Sequence, residues 1–141
     1  MSVQLDLMSK ESINDLFEVL KSKDMLPSVL INNAGITKDQ LFLRMKDKDW
    51  DEVIETNLNG LFRVTKALIK PMVKNKFGRV INISSVAGLM GNSGQVNYSS
   101  SKSAMVGFSR SLAKELGSRN ITSNVICLLY TSPSPRDLMR S

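Results

Sequence analysis

The chain has 141 residues, no histidine and one cysteine, Cys127. A disulfide needs a pair of cysteines, and zinc or thiol-imidazole centres lean on Cys and His, so neither class is expected and no metal site is foreseen. Proton chemistry is left to Tyr, Lys, Asp, Glu or Ser. No apolar run reaches the ~18 residues that a spanning helix needs, and the opening MSVQLDLMSK lacks an apolar export segment. The expectation is a cytoplasmic protein without membrane association. Aromatic residues make up only 6% of the chain and are not interleaved with basic ones; with no reading helix either, nucleic acid is not expected as a partner. Acidic residues run short in the second part. Residues 61–141 carry 12 basic and 2 acidic side chains, against 7 and 11 in residues 1–60. Such an imbalance suits an acidic partner or a solvated basic face, and charge alone leaves both open.

What is present describes an alternating α/β chain. The length suits one domain, and 42% hydrophobic composition is ordinary for a soluble one. Ile13, Leu16, Phe17 and Leu20 recur at helical spacing over 10–23, with Ser9 placed to cap the helix and Pro27 beyond its end. SVLIN, 28–32, is a short apolar run suited to a buried strand, and NNAG, 32–35, is a turn closing on the first glycine of the chain. Helical spacing returns from Asp47 to about Asn75 through Trp50, Val53, Ile54, Leu58, Leu61, Phe62, Thr65 and Leu68, with Asp47 as the expected cap and Pro71 expected to bend or end the helix. GRVINIS, 78–84, is a second strand, followed by a Gly/Ser loop, a helix over about 97–116 that stops at Gly117, and a third strand, ITSNVI, at 121–126. Helices between strands at this spacing predict βαβ units and a parallel sheet.

The chemistry is expected on the helix from 97. Tyr98 and Lys102 stand one helical turn apart, so both side chains can enter one cleft. A free phenol ionises near ~10 and is a poor acid-base group at neutral pH, but an adjacent ammonium stabilises its phenolate. Ser85 closes the second strand and can bring a hydroxyl toward the phenol to hold a carbonyl oxygen. Ser84 competes for that role, and strand alternation allows only one of the two to face the cleft.

Together NNAG (32–35), ETNL (55–58), INISSVAGLMGNSGQ (81–95) and NYSSSK (97–102) resemble the short-chain dehydrogenase/reductase family. The subgroup they most resemble is its 3-oxoacyl-[acyl-carrier-protein] reductases. The resemblance covers about residues 3–126. It implies a Rossmann-like three-layer αβα fold, and NADPH-dependent reduction of 3-oxoacyl-[acyl-carrier-protein] to the (3R)-3-hydroxy product in fatty acid biosynthesis. In that frame Tyr98 is the acid-base, Lys102 favours its phenolate and binds the nicotinamide ribose, and Ser85 orients the substrate. Asn57 distorts its helix and holds a relay water. Asn33, Ala34 and Gly35 pass beside the cofactor's adenosine and ribose portion, and Asp6 touches the adenine. Lys76 and Arg119 correspond to basic residues that receive the acidic acyl carrier protein near the cleft mouth. The family assembles as a homo-tetramer through a four-helix contact, here expected to use Phe62, Val64, Ala67 and Leu68 with Val106, Phe108 and Leu112.

Two departures accompany the resemblance. The family begins with a strand and a glycine-rich turn that cradles the cofactor diphosphate, and nothing before Gly35 matches that turn. After residue 126 the text CLLYTSPSPRDLMRS departs from the family's lid and last strand. The expected organisation is therefore 1–126 as the central part of one incomplete Rossmann domain and 127–141 as an unrelated irregular tail. No turnover is expected of the 141-residue chain itself. The alternatives are an acetoacetyl-CoA reductase or another 3-hydroxyacyl dehydrogenase of the family, or a non-catalytic fragment keeping only the association helices.

Overall fold

The computed structural model describes residues 1–128, so residues 129–141, most of the expected tail, lie outside it. Helix α1, Lys10–Ser22, starts as its sequence predicts: Ser9 is extended and its hydroxyl accepts from the Ser12 N–H at 3.1 Å. Strand β1, Val29–Asn32, follows. A 3₁₀ turn at Phe42–Arg44 leads to α2, Asp47–Ile54. A π-helical turn at Glu55–Asn59 separates α2 from α3, Gly60–Asn75. Strand β2, Gly78–Ser85, is followed by the short α4, Ala87–Met90, then α5, Val96–Leu116, a 3₁₀ turn at Gly117–Arg119 and strand β3, Ile121–Leu128.

The strands pair in parallel in the order β1-β2-β3, with Leu30 opposite Val80 and Val80 opposite Ser123. This register puts Leu30, Val80 and Ile121 on one face. There they form the core with Ile13 of α1 and Val64, Leu68 and Met72 of α3. Full burial of an aliphatic side chain is worth about 1.5–3 kcal/mol, so this cluster is what fixes the helices to the sheet.

Several expectations are corrected. Asp47 is the first helical residue and not the cap; the extended Lys46 takes that position without a side-chain bond, its carbonyl accepting from Asp49 and Trp50. Pro71 does not end α3, which runs on to Asn75; Leu68 and Met72 on either side of it are locked in the core and hold the last turn in place. The apolar stripe of 47–75 is not one continuous helical face. The π turn inserts extra length, so Val53, Asn57, Leu61, Val64, Leu68 and Met72 face inward while Phe62 stays exposed under the Lys66 ammonium. Val64 and Leu68, expected at a subunit contact, are therefore core residues and not available to a partner. Strand β3 runs to Leu128, which pairs with Ser85, so Cys127 and Leu128 of the expected tail are strand.

The described residues contribute two layers of the expected three. On the sheet face away from the core, Val29, Ile31, Ile126 and Leu128 are 46%, 58%, 45% and 49% exposed. Parallel sheets ordinarily have both faces covered, and an open apolar face of this kind seeks a cover. The isolated 141-residue chain is expected to enhance the fluorescence of 8-anilinonaphthalene-1-sulfonate (ANS) and to elute from a sizing column as an associated species. A monomer that leaves the dye unchanged would contradict this.

Candidate active site

The site forms at the carboxyl ends of the parallel strands, where loops meet the start of α5. A cavity of about 260 Å³ is lined by Asn33, Gly35, Thr37, Ser84, Ser85, Tyr98, Lys102 and Leu128. A wider one of about 590 Å³ adjoins it and shares Thr37, Ser85, Tyr98 and Leu128. Tyr98 and Lys102 are thus brought together with Ser85, and the Lys102 Nζ lies 5.7 Å from the centre of the Tyr98 ring.

Lys102 is 4% exposed. Its Nζ donates to the Ile83 carbonyl at 2.7 Å. Burial holds the ammonium below the ordinary lysine range, because a low-dielectric site disfavours the charged form. An ammonium carries three N–H donors, and Ile83 takes one. The others remain for a ligand in the cavity.

Alternation decides between the serines. Ser84 turns to the helix side and donates to the Lys102 backbone carbonyl at 2.9 Å, so it braces α5 against β2. The Ser85 hydroxyl accepts from the Ala87 N–H at 3.2 Å, keeps its own proton, and opens onto both cavities.

Asn57 sits inside the π turn, 1% exposed. Its amide oxygen accepts from the Ile36 N–H at 2.8 Å, and its nitrogen donates to the Ile36 carbonyl at 3.0 Å and to the Ser101 hydroxyl at 3.1 Å. Ser101 in turn donates to the Tyr98 carbonyl. The turn is framed by Glu55, which receives Asn59 and Arg63, and these bonds hold the Glu55 carboxyl below the usual carboxylate range.

Gly35 lies close against Asn57 and Lys102. A Cβ at that position would stand 3.2 Å from the Asn57 Oδ1 and 3.5 Å from the Lys102 Nζ. Asn33 and Ala34 also border a small apolar cavity with Leu5 and Leu7. Asp6, between those leucines, is exposed and uses its carboxylate to accept from the Met8 N–H at 2.9 Å ahead of α1.

Lys76 and Arg119 are exposed, as their sequence context suggests, but they precede β2 and β3. An eight-residue strand at ~3.3 Å per residue carries Ser85 about 23 Å from that end. Within this chain they are at the opposite end of the sheet from the cleft, so the expected place at the cleft mouth is corrected. Parallel strands impose this: every helix-to-strand connection falls at the end away from the site.

Ser101, Asn97 and Gly88 also pack or bond against Asn57, Tyr98 and Lys102, and sequence reasoning missed them. The first two lie on the same helical stripe as Met105 and Ser109, and all four are buried. Their four-residue spacing was readable, but polar residues on a buried stripe reveal their partners only once the neighbouring segments are in place.

The fold and this constellation define a dehydrogenase of the short-chain class: the sequence model of that family, short chain dehydrogenase, matches residues 1–137, and the chain belongs to it. Among curated proteins it is similar to 3-oxoacyl-[acyl-carrier-protein] reductase FabG of Aquifex aeolicus, at 50% identity over 124 residues, covering 88% of this chain and 50% of that protein. FabG of Escherichia coli K12 is 46% identical over 124 residues, covering 88% of this chain and 51% of the relative. The 3-oxoacyl-[acyl-carrier-protein] reductase of Synechocystis is 49% identical over 125 residues, covering 89% and 51%. The chain spans about half the length of the curated relatives it matches.

Proposed function

We propose that this chain belongs to a reductase that converts 3-oxoacyl-[acyl-carrier-protein] to the (3R)-3-hydroxy product with NADPH, in fatty acid biosynthesis. The observation that carries the reading is the convergence of Tyr98, Lys102 and Ser85 on one cavity at the carboxyl ends of parallel strands. The names of the similar proteins supply the substrate. The residues present suit a nicotinamide nucleotide: Gly35 leaves the room that a Cβ would fill beside Asn57 and Lys102, and the unspent Lys102 donors face that room. Asn33, Ala34 and Gly35 would flank the adenosine and ribose portion, with Asp6 toward the adenine.

When bound, the reduced nicotinamide supplies a hydride to the substrate's keto carbon. Ser85 donates a hydrogen bond to the carbonyl oxygen and holds it toward Tyr98. Tyr98 gives its phenolic proton to that oxygen as negative charge develops there. Lys102 offsets the charge left on the phenolate and grips the ribose hydroxyls. Asn57 holds the turn in which a relay water would sit. The full-length protein would be a cytoplasmic homo-tetramer receiving an acidic carrier.

The test replaces the matching half of the Aquifex aeolicus reductase with this chain's residues 3–126 and follows NADPH oxidation. Turnover of 3-oxoacyl-[acyl-carrier-protein] well above that of the matching coenzyme A thioester is expected. Equal kcat/KM on both would favour an acetoacetyl-CoA reductase instead, and a folded graft that reduces neither would defeat the reading.

A further inference from the structure

The first N–H groups of a helix have no partner within it and must find one elsewhere. The cap of α5, Gln95, makes no side-chain bond to its own helix; its amide donates to Asp39 at 2.9 Å instead. Asn97, inside the first turn, takes over. Its Oδ1 accepts from the Tyr98 N–H at 2.8 Å. Its Nδ2 donates to the Lys38 carbonyl at 3.0 Å and the Asp49 carbonyl at 3.2 Å. Asn97 is 0% exposed, so its own amide atoms have no access to water, and leaving either of them unpaired is costly.

One amide therefore ties together the residue bearing the phenol, the segment after Thr37 and the first turn of α2. Thr37 lines both cavities. The same segment has further anchors: the Gln40 N–H donates to the Gly94 carbonyl at 2.8 Å, and Lys38 pairs with Glu52 at 3.0 Å. The ion pair is solvent-accessible and screened, so it restrains the segment weakly.

The geometry points to Asn97 as a positioning residue, which sets Tyr98 against the wall formed by residues 37–40 and fixes the distance between the phenol and whatever carbonyl lies in the cavity. It touches neither substrate nor cofactor. This inference rests on the reductase reading, and its test separates the two. Asn97→Ser keeps an acceptor near the Tyr98 N–H but is too short to reach Lys38 and Asp49; Asn97→Ala removes both functions.

In the 141-residue chain, Asn97→Ser is expected to accelerate hydrogen exchange of the Gln40 amide at least about fivefold and to leave the β2 amides unchanged. In the Aquifex graft, turnover is expected to fall at least about fivefold, since a displacement on the order of 1 Å is costly to a positioned acid, with the KM for NADPH within about threefold. Asn97→Ala should add faster exchange at the Tyr98 amide; should it fail to fold, Asn97→Ser decides alone. Unchanged exchange at Gln40 overturns the inference. So does a smaller loss of turnover, or a joint decline of turnover, KM and β2 protection, which would mark general loosening. An inactive parental graft would defeat the reductase reading, while the exchange measurement still tests the anchor.

Discussion

Turnover of the grafted reductase is expected to fall by at least about 100-fold when Tyr98 is replaced by Phe. The substitution keeps the ring, its half-buried packing on α5 and its place beside the Lys102 ammonium. It removes the phenolic hydroxyl, and with no histidine in the chain the remaining cavity hydroxyls of Thr37, Ser84 and Ser85 are far weaker acids. A positioned general acid contributes roughly 10²–10⁴-fold. The loss should fall on kcat, with affinity for NADPH nearly unchanged, because the ribose-binding donors assigned to Lys102 remain. Steady-state kinetics on the Tyr98→Phe graft check this. Retention of more than about one tenth of parental turnover would remove Tyr98 from the acid role.

The second large effect concerns two glycines that are chemically alike. A Cβ at Gly88, on α4, would stand 2.8 Å from the Lys102 carbonyl carbon, 2.9 Å from the Lys102 Cβ and 2.9 Å from the Ser103 nitrogen. Two of these neighbours are backbone and cannot swing aside, so Gly88→Ala should force α4 and α5 apart at the lysine. Overpacking of this kind costs about 1–3 kcal/mol. A Cβ at Gly107, in the middle of α5, would meet nothing within 4 Å. There the gain in helix propensity acts alone, and Gly107→Ala should stabilise by about 0.5–1 kcal/mol. Urea denaturation of the grafts gives both values from one measurement. Gly88→Ala should also lower turnover, since the displaced residue is Lys102. Equal shifts of the two midpoints would show that the close approach at Gly88 relaxes freely.

The parallel sheet was legible because each strand is a short apolar run between helical periodicities, and those patterns follow from local burial alone. The Tyr98 and Lys102 pair was equally legible, since four-residue spacing on a helix puts two side chains on one side whatever surrounds them. Less of the 47–75 segment could be read. Its π turn depends on Asn57 bonding to both backbone groups of Ile36, a residue 21 positions away. Local propensity carries no record of such a partner, so Val64 and Leu68 were placed at the subunit contact and came out in the core.

Sequence by itself determined the parallel α/β class, the exclusion of a disulfide framework and of histidine chemistry, and the residue types able to move a proton, because these depend on composition and on spacing along one element. Only the tertiary structure decided that Ser84 is spent on the Lys102 carbonyl while the Ser85 hydroxyl opens onto both cavities, that Gly88 is needed for space, that Asn97 and Ser101 brace the helix bearing the phenol, and that Lys76 and Arg119 stand a strand's length from Ser85. Each of those outcomes depends on which segments meet, and contacts between residues far apart in the chain arise from packing that no local pattern encodes.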